Sequence, residues 1–250
     1  MPTRRLFLVA SLFLVPLVFA AVIWWSATQN ELVETEFATR SKTIENGPKT
    51  VSVDTAAEIE FTNTAPFGMT LKGNEDVVEA VRIREENDTL RIEAKPETLE
   101  VLTWDRSDLV IVISTEQFPT TLEFRGDIFV SGTGVQGEAG RITSEGQLDG
   151  LLTGIETETL EVELVGTGNL ELTGETERSR YSSEGTANLD ARDLTSGSTT
   201  AEVEGEGIIR TRTTEQLQAQ VNGSGAILYT ERPAQLQSQV NGSGSVEESS

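Results

Sequence analysis

The 250-residue chain has no cysteine and no histidine, only 6% aromatic residues, and 19 basic against 41 acidic side chains. Without cysteine there is no disulfide framework, thiolate metal site, cysteine nucleophile or cysteine-linked lipid anchor. Without histidine the usual general base, the commonest zinc ligand and the usual pH switch are missing. No P-loop, dinucleotide glycine motif or GxSxG elbow is present either. A formal charge of −22 repels nucleic acid and anionic headgroups, favours cations or basic partners, and keeps a β-rich protein in solution. What the chain does have is glycine, 22 residues of it, with 36% hydrophobic residues. That composition suits short strands and many turns.

The one long hydrophobic run is Leu6 to Trp25, 20 residues without a charge, enough at ~1.5 Å per residue to cross a bilayer core as a helix. Arg4 and Arg5 precede it and Glu31, Glu34 and Glu36 follow it. The positive-inside rule then keeps the N-terminus in the cytoplasm and exports the rest. Trp24 and Trp25 fall where an interfacial belt would lie. Residues 1–25 are therefore expected to be a signal-anchor transmembrane helix. The alternative is a signal peptide cleaved after Val18-Phe19-Ala20, with secretion of the remainder. Residues 26–50 read as a polar linker.

From Leu160 the chain alternates strictly. Leu160, Val162, Leu164, Gly166, Gly168, Leu170 and Leu172 take one parity and mostly Glu, Thr and Asn the other, so one set faces a core and the other water. The pattern recurs, and its leading glycines fall at 126, 146, 166, 185, 205, 223 and 242, a spacing of 18 to 20. A fixed period of this size marks a solenoid whose units rely on their neighbours for burial. Each unit offers two short strands broken at a glycine corner, and seven coils stacked at ~4.8 Å would give a rod of roughly 30–35 Å. Near-identical units, QLQAQVNGSG and QLQSQVNGSG, favour parallel coils in register over a meander of hairpins, with Asn222 stacked on Asn241. The expected fold is all-β: a parallel β-helix or β-solenoid over 121–250, preceded by an N-terminal β region over 51–120 that feeds it. In that region Lys72-Gly73-Asn74-Glu75-Asp76 and Glu86-Asn87-Asp88 read as turns. The sequons at Asn87, Asn222 and Asn241 read as turn chemistry.

The motif VNGSG at 221–225 and 240–244 resembles the family described as "putative auto-transporter adhesin, head GIN domain", bacterial envelope proteins with a domain of unknown function. Upstream, Glu58-Ile59-Glu60-Phe61, Met69-Thr70-Leu71, Asp76-Val77-Val78 and Asp88-Thr89-Leu90-Arg91-Ile92 follow the order of its N-terminal part, so the resemblance runs over roughly residues 50–248. It implies a right-handed parallel β-helix-like fold outside the cytoplasm and no established reaction.

The sequence assigns no catalytic, cofactor-binding or metal-ligating residue, and the chain is read as a non-enzyme. The reading is a membrane-anchored extracytoplasmic solenoid with a binding or structural role in the bacterial envelope, held at the inner membrane with its C-terminal part periplasmic. Its partners would be the membrane, through the N-terminal helix, and a protein or glycan ligand. The solenoid end, where Glu247 and Glu248 could serve as a solubilising cap, offers a route to self-association. The alternative is a carbohydrate-active β-helix enzyme, a lyase or glycosidase, using the outward carboxylates Glu161, Glu163, Glu202, Glu204 and Glu206. A row of bases or aromatics beside these acids would favour it; a uniform Thr/Glu/Gln face, loosely able to bind calcium, would not.

Overall fold

In the computed structural model, which describes residues 37–44, 47–64, 66–95, 104–115 and 117–249, period-two alternation is converted directly into stacked strands. The expected membrane helix at 1–25 and the first part of the expected linker lie outside the described residues. Among those described, no helix is long and apolar enough to cross a membrane. Residues 37–43, inside the stretch read as linker, form a strand, β1 (Phe37–Thr43).

The repeats make a parallel stack. β8 (Thr121–Thr133), β9 (Gln136–Thr167), β10 (Asn169–Gly185), β11 (Asn188–Gly205) and β12 (Ile208–Gly223) pair parallel in chain order. β13 (Ala226–Tyr229) and β14 (Gln235–Gly242) continue on β12, and β15 (Ser245–Glu248) lies on β13. This excludes the hairpin meander, which would pair them antiparallel. Inward residues form ladders: Leu122, Ile142, Val162, Tyr181, Ala201 and Ala219 belong to successive coils and are all buried. The seven corner glycines delimit about six turns, one fewer than seven coils, because glycines mark the boundaries of the repeats.

Those seven glycines all have positive φ, between 99° and 137°. The stack requires it most plainly at Gly166, whose φ is 126° and where a β-carbon would lie 2.1 Å from the Gly146 carbonyl oxygen. The pairings among β9 to β12 are also interrupted at a second bend, away from the corner glycine, which the expected two strands per unit did not include. In β9 and β10 this bend is a register shift between Leu172 and Gly174, paired with Leu152 and Ile155. It is where unequal repeat lengths are absorbed. Ala191 pairs with Thr211 and Thr195 with Arg212, so residues 192–194 have no counterpart in the next coil, although Asp193 and Leu194 still pair with Thr173 and Gly174 of the coil before.

Parallel stacking extends below residue 121. β2 (Thr50–Asp54) lies between β6 (Thr89–Ala94) and β8, and β3 (Ala57–Thr62) between β7 (Leu109–Ser114) and β8, all parallel. The earliest coil in sequence is thus sandwiched between later ones, and Val51, Val53, Ile59 and Phe61 are buried on both sides. β4 (Gly68–Asn74) and β5 (Val81–Glu86) add antiparallel to β7 and β6, and β1 to β4. The turn expected at 72–76 is the end of β4 followed by a short helix, α1 (Glu75–Ala80), which buries Val77, Val78 and Ala80. Six residues are too few for helical periodicity to be read from sequence. Asn87 and Asp88, both at positive φ (50° and 61°), make the tight turn expected between β5 and β6.

Inside the middle coils hydroxyls replace hydrocarbon. Ser179 bonds Ser196 at 3.0 Å and Thr199 at 2.8 Å, and Thr213 donates to Thr199 at 2.6 Å. All four are buried, and mutual hydrogen bonding offsets the desolvation that burying them costs.

Candidate functional site

Outward parity places the five candidate carboxylates, and register decides which of them meet. Glu161 and Glu163 leave the coil on the side opposite Leu160, Val162 and Leu164, whose side chains are buried. Arg141, one coil earlier, reaches both, at 2.8 Å from Glu161 and 3.5 Å from Glu163. Arg180, one coil later, is in register with Glu161. Glu202 is in register with Ser182 and Gln220, and Glu204 with Glu184 and Asn222. Glu206 sits past the corner, its N–H donating to Gly185 O at 2.8 Å.

The fold therefore brings Glu161 and Glu163 together with a base and leaves Glu202, Glu204 and Glu206 two coils away. The face is not the uniform Thr/Glu/Gln surface that sequence alone allowed. Arginines stand beside the acids, but as ion-pair partners: one guanidinium holds both Glu161 and Glu163. Their side chains are 39% and 47% exposed, so neither is enclosed in the apolar pocket that makes a carboxylic acid a proton donor. Among the described residues no three acidic groups converge to hold a cation.

Two concavities follow from side-chain size along these rows. The first is a groove of about 510 Å³ with carbon from Ala139, Gly140 and Leu160 between the rims, flanked by Arg141, Arg178 and Arg180. The second, about 340 Å³, lies on later coils and is lined by Thr200, Glu202, Gln218, Gln220, Gln237 and Gln239. It is a grid of hydrogen-bonding groups at the strand repeat.

Sequence reading missed a polar spine on the neighbouring side. Arg106 Nη1 bonds Asp149 Oδ2 at 2.6 Å, and Asp149 Oδ1 accepts from the Asn169 N–H at 2.9 Å and its amide at 3.3 Å. Asn188 then donates to Asn169 at 3.0 Å and accepts from the Ile208 N–H at 3.1 Å. Asp149, Asn169 and Asn188 each lie three residues after a repeat glycine, an offset that would have exposed the spine. Arg106 belongs to a 3-10 turn over Arg106–Asp108 and also lies 5.8 Å from the Phe129 ring, so it ties the early layers to the first repeats. Asn241 donates to Asn222 at 2.9 Å, the stacking expected from the twin VNGSG motifs.

Partial burial pulls the Asp149 carboxyl upward, but bonds from Arg106, Gln147 and Asn169 outweigh it and hold it below the usual carboxylate range. A depressed carboxylate stabilises the fold above its unfolded value, and that contribution disappears as pH falls through the lower folded value. Acidification below about pH 4 is therefore expected to destabilise the native chain more than Asp149→Asn. The difference should be no more than about 1 kcal/mol because the pair is partly solvated. Urea midpoints at pH 7 and pH 3 check this; equal losses in both proteins would count against it.

Fold and surface define a class: a parallel β-solenoid scaffold displaying regular side-chain rows. Over residues 47–233 the sequence matches the family described as "putative auto-transporter adhesin, head GIN domain", and the chain belongs to that family. No curated protein is similar to it in sequence. A solved Bacteroides fragilis structure described as a putative adhesin is 19% identical, with a TM-score of 0.76 over 86% of this chain and 98% of its own. A Parabacteroides distasonis structure described as a putative lipid binding protein is also 19% identical, with a TM-score of 0.64 over 87% and 98%. A Parabacteroides merdae structure described as a putative adhesin is 16% identical, with a TM-score of 0.62 over 87% and 98%. At these identities the likeness is one of fold.

Proposed function

We propose that the chain is an envelope binding module: residues 6–25 hold it in the inner membrane, the solenoid lies outside the cytoplasm, and the outer rows bind a protein or glycan. The observation that carries this reading is the pairing of both best-placed carboxylates, Glu161 and Glu163, to Arg141. That pairing makes the row a recognition surface and deprives the hydrolytic alternative of a free acid and base. Family membership supports an adhesin-like role. The Leu6–Trp25 run and its flanking charges support anchoring and export.

The test has two arms. Full-length protein should stay with membranes after alkaline extraction, and protease added to spheroplasts should digest the solenoid; a soluble, protected protein would overturn the placement. Immobilised full-length chain, offered native envelope material, should retain one glycan or protein class. Retention should be lost in Arg180→Ala, if the arginine groove binds, or in Gln218→Ala/Gln237→Ala, if the glutamine hollow does. Retention unchanged in both variants would remove the outer rows as the binding surface.

A further inference from the structure

The two ends of the stack are finished differently. At the early end β5, which pairs only with β6 among the described strands, carries Arg82, Arg84, Glu85 and Glu86 in six residues. Charge of this density on an edge strand discourages a further strand from adding. At the other end β15 pairs only with β13 among the described strands, and Glu248 falls in register with Tyr229, an inward position that is buried one coil earlier. An inward-pointing charge is a second way of blocking addition.

β14 has neither device. It pairs only with β12 among the described strands, and Gln235–Gly242 contains no charged residue and no proline, in a chain of net charge −22. Its inward side chains are Leu236, Ser238 and Val240, in register with Leu217, Ala219 and Val221 of the coil before. Those three are buried, whereas Val240 is 41% exposed. A strand with an open backbone edge and an open apolar face is a site for strand addition.

The sequence of β14 selects the occupant. Antiparallel pairing about a two-fold axis at Ser238 sets Ser238 against itself, Leu236 against Val240, Gln237 against Gln239 and Gln235 against Asn241. Every inward residue then meets an inward residue and every amide an amide. The two-fold at Gln239 would instead oppose Leu236 to Gly242 and lose the apolar pair. We infer that β14 docks a second copy of this chain, antiparallel and centred on Ser238, so that two solenoids join end to end by backbone pairing and an apolar Leu236–Val240 contact repeated twice. Isologous contacts of this kind close as dimers and stop there. Because both copies are strongly acidic, pairing strengthens as salt screens their repulsion.

The cysteine-free sequence makes the register directly testable in the full-length chain. Residues opposite one another in an antiparallel pair have α-carbons about 4.5–5.5 Å apart, inside the range a disulfide spans. Ser238→Cys should therefore give a disulfide-linked dimer as the main species on mild oxidation. Gln239→Cys faces Gln237 of the other copy, is displaced diagonally from its own counterpart, and should give about tenfold less. Val240→Lys should weaken dimerisation about a hundredfold or more, since each lysine would be buried against Leu236 of the other copy, and should leave the far-ultraviolet β signature unchanged. A wild-type chain that stays monomeric by light scattering at all salt concentrations would overturn the proposal. So would equal cross-linking at 238 and 239. The cysteine pair decides the matter even if Val240→Lys fails to fold.

Discussion

Gly166→Ala is expected to destabilise the solenoid by roughly 3–6 kcal/mol, a large share of the 5–15 kcal/mol typical of a folded domain. Two costs combine. The backbone at Gly166 has φ of 126°, outside the region an L-residue tolerates, and the new methyl would lie 2.1 Å from the Gly146 carbonyl oxygen. That oxygen belongs to the backbone of the neighbouring coil, so it cannot give way as the end of a flexible side chain would. Gly154→Ala is milder on both counts: its φ of 63° lies in the left-handed region that L-residues occasionally adopt, and the nearest atom to an added β-carbon is the Gly134 nitrogen at 3.4 Å, an ordinary contact. It should lose only about 1–2 kcal/mol. Urea or thermal denaturation of both variants beside the native chain measures the difference. Equal losses would mean that neither the φ of 126° nor the close stacking of corners makes glycine necessary at the ladder. A repeat stack is stabilised by nearest-neighbour interfaces, so the damage should begin at the 146/166 interface.

The same ladder explains what sequence could reveal. The corner glycines, the inward parity and the Asn222–Asn241 stacking were legible because a solenoid repeats one local environment in every coil, so each signal is written several times. Three features were hidden, each for a physical reason. The second bend carries no fixed residue type and is where insertions such as 192–194 are accommodated, so its signal drifts. The sandwiching of β2 and β3 between later strands depends on non-local pairing that alternation alone does not encode. α1 is too short to show a period. At the candidate surface, parity correctly sent the five glutamates outward but said nothing about rows. That Arg141 is one coil from Glu161 and Glu163 follows from the 20-residue spacing of Arg141 and Glu161, which was available once the coil length was known. The Arg106–Asp149 link was not, since Arg106 lies outside the repeats.

Tyr181 gives the second large effect, and its sign depends on the substituent. Among the described residues it is the bulkiest fully buried side chain, 1% exposed, stacked between Val162 and Ala201. It fills interior volume that its own coil leaves open with Ser183 and Ala187, both buried at inward positions. Its hydroxyl is buried without a hydrogen-bond partner in the described structure, and burial pushes the phenol well above its usual range, with the nearby Ser179 hydroxyl offsetting this only in part. Tyr181→Ala is accordingly expected to cost about 3–5 kcal/mol by opening a cavity that rigid strands cannot collapse. Tyr181→Phe keeps the ring, removes an unsatisfied polar atom, and should be neutral or stabilising by up to about 2 kcal/mol. Linkage supplies an independent readout. A phenol raised above its unfolded value stabilises the fold fully below about pH 10. Above that pH the unfolded chain ionises first and the contribution is lost. The native chain should therefore weaken on going from pH 9 to pH 11 more than Tyr181→Phe does. A Tyr181→Phe chain less stable by more than about 1 kcal/mol at neutral pH would show that the hydroxyl is satisfied, with Ser179 as its partner. The buried hydroxyl row of Ser179, Thr199 and Thr213 would then extend through Tyr181 as one network.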